Sequence, residues 1–519
     1  MTGIPLMADA ASPPIVAGLA VFLVLALGIG LFSGTFVRKS SRRYIVAGKS
    51  LPLFFVGTML AAAAVDGNGT LGSIGLGYDY GIWAAAAIPV GVTICMVLIG
   101  AFFGKPLNRM SMLTLPDFYY RRYDSNTEVI SILVMILGFL IMVAGNFAAT
   151  GFILEAVFGI SFFWGLMIGA AIVLVYTTVG GLFSSAYTDI LQVYIAIVGL
   201  WAAFIYLAGG FGDYSFTEMW NNAPDGYVDF SGLTSRADGA LINWSGILAL
   251  AVGDIVAMDF MERVFAARDG RTAARGAYMA AVLCGIVVVP VMFIGIFMLT
   301  VTPNLDSGFE AFPTLAVDHV PAWIGILLVC GVVGAAMSTA NSGMLALSSA
   351  ISRNLIQRNL MERVLKRPHL GNRQLLITVR LLLIPLAGLS LWWAWEIPQP
   401  GKYAILAFDV VLAGCFVPLV LGIYWSKSNK WAAIASIVVG SGARLIGYFA
   451  TPSDWSGIET MLPPVVSLVV FVSVALATQK REPGHLRHGV VDYIPPEDDV
   501  VSGDDLKGYW DWERARTST

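Results

Sequence analysis

The chain has 519 residues, of which 57% are hydrophobic and only 13% are charged. Soluble globular proteins carry about 25% charged residues, so the composition excludes an ordinary soluble domain and indicates a membrane protein. The net charge of −3 provides no electrostatic attraction to nucleic acid, and we expect no nucleic-acid partner.

Apolar runs of about 20 residues are long enough to cross a bilayer as helices. We predict thirteen such spans, at 14–37, 51–77, 82–104, 127–155, 159–178, 186–209, 243–260, 276–301, 322–350, 374–395, 404–425, 431–450 and 461–479. The predicted fold class is therefore an all-α, multi-pass membrane protein of the plasma or inner membrane.

The basic residues predict the orientation of these spans. Of the 31 Lys and Arg residues, 27 lie on one set of alternate connections or in the tail, and only Arg236 and Lys402 lie on the other set. The positive-inside rule then places the N-terminus outside and the C-terminus in the cytoplasm. The charged segment 481–519 is expected to be a cytoplasmic tail.

The second span is polar near its centre. Ala64-Val65-Asp66-Gly67-Asn68-Gly69-Thr70 puts a carboxylate, an amide and two glycines inside an apolar run. Ionisable groups at this depth are functional-site candidates, and glycines allow a helix to break and turn its carbonyls towards a cavity. We predict a broken helix with a binding site here.

The spans also divide into two five-helix units of opposite orientation. Five spans in 51–209 begin on the cytoplasmic side and five in 243–425 begin on the outer side, which is the topology of an inverted repeat. An extra helix in 1–50 precedes them, an outer loop at 210–242 joins them, and two further helices in 426–480 follow. The first helix of the second unit is also polar, at Asp254 and Asp259.

The helix at 322–350 supplies oxygen atoms for a cation. The carbonyl of Ala335 lies near the hydroxyls of Ser338 and Thr339 on a helix. Together with the carbonyls of Ala64 and Gly67 from the broken helix, these three oxygens make about five uncharged ligands. Such a set suits a cation of low charge, because Ca²⁺ and Mg²⁺ normally require ligating carboxylates.

An alternative is that the two hydroxyls only bond back to their own helix and pack against a neighbour. The broken acidic helix favours the ion site. In that interpretation Asp66 tunes the field or orients the break, and does not bind the ion directly.

Other polar residues at membrane depth are candidates for solute binding. Asp254 is the favoured contact, since its carboxylate can pair with an amine; the alternative is a structural hydrogen bond to a neighbouring helix. Asp259 adds a further buried acid. Asn68 and Asn146 are weaker candidates, because amides often join helices.

Asp409 and Arg444 are predicted to neutralise each other. Both lie in the outer third of adjacent antiparallel spans, where an unpaired charge is costly. Their role is expected to be structural.

Several stretches resemble motifs of the sodium:solute symporter family. They are Arg43–Pro52 ("D/RYFLAGRSL"), Thr114–Tyr123 ("TLPEFLxRRF"), Gly151–Ile160, Tyr176–Gln192 ("YTxxGGLxAVxxTDxxQ") and Met337–Ser349 ("MSSADSxLLAxSS"). The resemblance implies a leucine-transporter-type core of two inverted five-helix repeats, with sodium as the co-transported ion. It implies the same five sodium ligands as above, and Asp189 as an acid that helps sodium leave towards the cytoplasm.

One segment departs from the family. Its "GxPQxxQR" motif corresponds here to Val256–Arg263, which keeps the arginine but has neither the proline nor the glutamines. Since this region helps to shape the solute pocket, no relative's substrate can be carried over.

The leading hypothesis is a symporter that imports a small organic solute with Na⁺ by alternating access, with the lipid bilayer as its surroundings and no obligate protein partner. Buried acid without a mid-membrane Lys favours proline or a related amino acid or osmolyte. A monocarboxylate or a sugar is the alternative solute. A membrane sensor with a transporter-like core and a passive channel are the alternative functions.

Overall fold

The structure is a computed structural model that describes residues 11–210, 214–398 and 402–481. Within these ranges all regular structure is helical, apart from one isolated bridge between Leu51 and Ala267. The first half contains α1 (Pro13–Ser33), α2 (Ser41–Val46), α3 (Leu53–Ala64), α4 (Gly67–Tyr80), α5 (Ile82–Leu98), α6 (Gly104–Arg109), α7 (Pro116–Arg122), α8 (Ser125–Phe158), α9 (Phe162–Gly180) and α10 (Leu182–Leu207).

Three helices of four to seven residues lie in connections, and longer helices complete the second half. The elements are α11 (Phe216–Asn222), α12 (Ser231–Thr234), α13 (Ala240–Leu248), α14 (Met258–Ala266), α15 (Gly270–Val301), α16 (Ala311–Thr314), α17 (Ala322–Ala350), α18 (Asn372–Glu396), α19 (Lys402–Val411), α20 (Val417–Tyr424), α21 (Lys430–Ala450) and α22 (Ile458–Thr478). The predicted tail 481–519 lies outside the described residues beyond Arg481.

The predicted all-helical, multi-pass class is confirmed. The described residues contain eleven helices long and apolar enough to cross a membrane, or twelve if Ala240–Val256 and Met258–Ala266, bent by 48°, are one span. The thirteen predicted spans exceed this number by the run at 51–77, because the structure divides that run into α3 with 12 residues and α4 with 14. Hydropathy detects one span there, whereas the backbone forms two half-length helices.

Small residues bring the long helices close together. A Cβ built on Gly331 of α17 would lie 2.5 Å from the Cα of Ala196 in α10. A Cβ on Gly199 of α10 would lie 2.8 Å from the carbonyl carbon of Leu327. Packing without a side chain at these points lets membrane helices approach to backbone contact. Helices α10 and α17 thus pack closely together, and both contact the broken helix.

Asp409 and Arg444 meet at the contact of α19, α21 and α22. Arg444 Nη2 donates to Asp409 Oδ2 at 2.8 Å, and Thr460 Oγ1 donates to the same oxygen at 3.0 Å. Both charged side chains are buried, with exposed fractions of 6% for Arg444 and 2% for Asp409. The pair therefore joins α19 to the two helices that follow the second unit.

We expect Arg444→Met alone to destabilise the protein by about 3–5 kcal/mol, because it leaves Asp409 buried without its counter-charge. Arg444→Met combined with Asp409→Leu removes both charges and is expected to cost less. The measurement is thermal unfolding of detergent-purified protein, followed by tryptophan fluorescence. Arg373→Met, at an exposed position of α18, is the control, and equal losses in the single and double variants would refute the pair.

Candidate functional site

The break between α3 and α4 is formed by the sequence around Asp66. The backbone leaves the helix at Val65, with φ −88° and ψ 68°, and Asp66 caps α4 by accepting a hydrogen bond from Gly69 N at 2.6 Å. Aspartate is a favoured N-cap, and glycines weaken helix continuation. The last carbonyls of a helix, here including that of Ala64, have no partner within the helix. They are the groups that a cation needs.

Asn146 of α8 holds the start of α4 at this break. Its Nδ2 donates to Asp66 Oδ2 at 3.0 Å and to Met142 O at 3.1 Å, and its Oδ1 accepts from Asn68 N at 3.2 Å. The side chain is fully buried. These contacts orient the break, while solute binding by Asn68 or Asn146 stays a prediction.

Gly67 brings the start of α4 against α17. A Cβ at this position would lie 2.4 Å from the Cβ of Ala336 and 2.7 Å from the carbonyl oxygen of Val332. No side chain fits in that space, so glycine is required for the two backbones to touch. The contact brings the broken segment to the turn of α17 that carries Ala335 and Ser338.

The two predicted hydroxyls of α17 have different surroundings. Ser338 Oγ donates to Asp189 Oδ1 at 2.6 Å, and the lone pairs of its oxygen remain able to ligate a cation. Thr339 Oγ1, on a residue only 2% exposed, makes no hydrogen bond to any described residue. A buried hydroxyl without a partner costs free energy, and a bound cation would satisfy it.

A narrow cavity of ≈ 20 Å³ joins several of these residues. Its polar lining comes from Asp66, Asp254, Asp259 and Thr339, and Phe260 and Phe408 form part of its apolar lining. The volume fits a water-sized group and is too small for an organic solute. Asp254 is 1% exposed, and its Oδ1 makes no hydrogen bond within the described ranges.

Arg263 is a site residue that the sequence reasoning missed. The basic-residue count placed it on a cytoplasmic connection after span 243–260, but it is fully buried, because α14 continues to Ala266. Its Nη2 lies 3.5 Å from Asp189 Oδ2, its Nη1 lies 3.6 Å from Asp259 Oδ2, and its Nε donates to Met59 O at 2.9 Å. The arginine kept in the motif, four residues after Asp259, was the available signal.

The segment just before α3 and the end of α14 are joined by backbone hydrogen bonds. Leu51 N donates to Ala266 O at 3.0 Å, and Arg268 N donates to Leu51 O at 3.1 Å. Asn108 Nδ2 donates to Val264 O and to Ala267 O, both at 2.8 Å. These bonds join the segment before α3 and helix α6 to the end of α14.

Comparison with known proteins explains this arrangement. The family model of the sodium:solute symporters matches residues 44–440. The chain belongs to the sodium:solute symporter family. It is thus a membrane transporter and not an enzyme, and its transport of solute is coupled to sodium.

Individual relatives of this symporter are distant. It is 26% identical over 502 residues to the sodium/proline symporter of Escherichia coli (strain K12), covering 91% of the chain and 96% of that protein. It is 25% identical over 453 residues to the high affinity choline transporter 1 of Homo sapiens, covering 82% of the chain and 75% of that protein.

A solved structure shares the symporter's fold. The substrate-bound, outward-open structure of a Na⁺-coupled sialic acid symporter matches with a TM-score of 0.76 at 17% identity, covering 90% of the chain and 98% of that structure. The core is therefore the predicted leucine-transporter-type arrangement.

We expect Gly67→Ala to weaken sodium binding about tenfold or more, because overpacking typically costs 1–3 kcal/mol and each 1.4 kcal/mol is a factor of ten. The measurement is binding of ²²Na⁺ to purified protein. Gly388→Ala is the matched control, because a Cβ there would meet nothing within 4 Å. Unchanged affinity in Gly67→Ala would show that the α4–α17 contact does not support the ion site.

Proposed function

We propose that this symporter imports a small organic solute bearing an amino or ammonium group, together with Na⁺, by alternating access. The observation that carries the proposal is the cavity, which is lined by three carboxylates, from Asp66, Asp254 and Asp259, while its lining residues include no Lys, Arg or His. A site of this charge attracts a cationic group and repels an isolated carboxylate.

The sodium ion is assigned to the junction of the broken helix with α17. The proposed ligands are the carbonyls of Ala64, Gly67 and Ala335 and the hydroxyls of Ser338 and Thr339. The unpartnered Thr339 hydroxyl and the backbone contact at Gly67 support this assignment. Asp66, held by Gly69 N and Asn146, orients the break.

Asp189 is the proposed acid on the path of sodium to the cytoplasm. It accepts from the Ser338 hydroxyl and lies beside Arg263. An ion leaving Ser338 therefore meets a carboxylate that already has a positive partner, which favours passage over tight binding. This path agrees with the proposed orientation, with the N-terminus outside and the C-terminus in the cytoplasm.

Asp254 is the proposed partner of the solute's positive group, with Asp259 next to it. Proline or a related amino acid or osmolyte is the first candidate, and the E. coli sodium/proline relative supports it. A quaternary ammonium solute is the second, because Phe260 and Phe408 line the cavity beside the acids and aromatic rings bind such cations; the choline transporter relative supports it. A monocarboxylate or sugar has less support from this lining.

Ser338→Ala combined with Thr339→Ala is expected to abolish the sodium dependence of uptake into proteoliposomes, because two of the proposed ligands are removed. Ser348→Ala on the same helix is the matched control, since this buried hydroxyl bonds back to Leu345 O at 3.0 Å. Transport that remained equally fast and equally responsive to external Na⁺ would refute the proposed ion site.

Asp254→Asn is expected to raise the KM for solute about tenfold or more while ²²Na⁺ still binds, because a charged pairing in a buried site is worth several kcal/mol. Proteoliposomes with an inward sodium gradient are tested with labelled proline, choline, acetate, pantothenate and glucose. Accumulation of acetate or glucose alone, unaffected by Asp254→Asn, would contradict the proposed solute class. Absence of any accumulation would contradict symport of the tested solutes.

A further inference from the structure

Helix α14 contains an acid that neither the proposed ion site nor the proposed solute site uses. Glu262 is 1% exposed, and neither of its carboxylate oxygens has a hydrogen-bond partner among the residues that the structure describes. The adjacent Arg263 guanidinium is directed instead to Asp189, Asp259 and the carbonyl of Met59. An ionised carboxylate in such surroundings carries a desolvation cost of several kcal/mol.

The charged and titratable neighbours of Glu262 come from several elements. Arg263 and Asp259, on the same helix, interact electrostatically with the Glu262 carboxylate. Tyr44 of α2 also interacts with the charge of Glu262, and Arg380 of α18 lies over the Tyr44 ring. The groups that interact with Asp259 include Arg263, Asp189 on α10, Asp254, and Asp66 at the break.

The charges in this cluster do not balance. Asp189, Asp259 and Glu262 bring three negative charges to the single positive charge of Arg263. A sodium ion at Ser338, which is hydrogen-bonded to Asp189, compensates one more. One negative charge is left, and it requires a further cation.

A proton is the cation that fits this place. Within the described ranges, no group of three or more His, Cys, Asp or Glu side chains is arranged to hold a metal ion. Neither carboxylate oxygen of Glu262 accepts a hydrogen bond from a described residue, and a proton needs only the carboxylate itself.

We propose that Glu262 is a proton-binding site linked to the sodium site, so that sodium binding releases its proton. Sodium near Ser338 partly replaces Arg263 as the counter-charge of Asp189, and the guanidinium is then free to stabilise an ionised Glu262. In this step the O–H bond of the Glu262 carboxyl breaks, the electron pair stays on the carboxylate, and the proton passes to water. The proposal rests on the proposed sodium site, and by linkage protons must weaken sodium binding by the same factor.

The sequence offers an isosteric variant for the test. The family motif quoted above has glutamine at the position of Glu262, so Glu262→Gln returns the family's residue and is expected to give a folded transporter. Glu396→Gln, at the exposed end of α18, is the matched control.

The experiment uses the purified full chain in a weakly buffered detergent solution with a pH-sensitive dye. Adding NaCl, compared with N-methylglucamine chloride, is expected to release up to about one proton per bound Na⁺ from the wild type and from Glu396→Gln, and almost none from Glu262→Gln. In parallel, the affinity for ²²Na⁺ is expected to fall roughly 5- to 150-fold in the wild type as the pH is lowered, and to be independent of pH in Glu262→Gln.

The outcomes separate this proposal from the one on which it rests. Saturable ²²Na⁺ binding without proton release, or with release unchanged in Glu262→Gln, overturns the proton site and leaves the sodium site standing. Absence of ²²Na⁺ binding in the wild type overturns both. If Glu262→Gln is not monodisperse, the wild type decides alone, because sodium affinity that does not depend on pH overturns the linkage.

Discussion

The site depends on one interaction, the pair of hydrogen bonds by which Asn146 holds Asp66 and Asn68 at the start of α4. Backbone that leaves a helix inside a membrane must find partners within the protein. Here Asp66 caps the new helix through Gly69 N, and the Asn146 amide joins the Asp66 carboxylate to the Asn68 N–H. With these groups satisfied, the carbonyl end of α3 and the amino end of α4 face each other across a fixed gap. The opposite dipoles of the two ends then give one place for a cation and one for an anionic group.

The second constraint is the imbalance of charge around α14. Five buried acids, namely Asp66, Asp189, Asp254, Asp259 and Glu262, surround one buried base, Arg263. Asp66 is compensated by its cap hydrogen bonds, whereas Asp189, Asp259 and Glu262 share a single guanidinium. A protein in this condition stores unfavourable electrostatic free energy, and every cation that enters lowers it. The arrangement of the buried acids therefore favours the binding of a cation, whichever solute the protein transports.

The sequence predicted the break in 51–77 because glycines and an acid interrupt an apolar run. It also identified a second polar helix at Asp254 and Asp259, and the backbone between these two residues is extended at Ala257. It did not predict that α14 carries two further charged residues into the interior, because hydropathy averaging ended that span at 260. Nor did it reveal that Asn146 reaches Asp66, 80 residues away. Such contacts depend on how helices cross, and the periodicity of one helix contains no information about its neighbour.

The sharing of residues explains why sodium and solute should bind together. Ala64, Asp66 and Thr339 line the same cavity as Asp254 and Asp259, so the proposed sodium ion at the break and the proposed cationic group at Asp254 would act on the same set of acids. Two cations repel each other, which alone would make binding antagonistic. Positive coupling requires that sodium first order the binding site by fixing the gap between α3 and α4 against α17. The solute then binds to a pocket that is already formed, and less conformational entropy is lost on binding. For the proposed function, order at the break must therefore outweigh repulsion between sodium and a cationic solute.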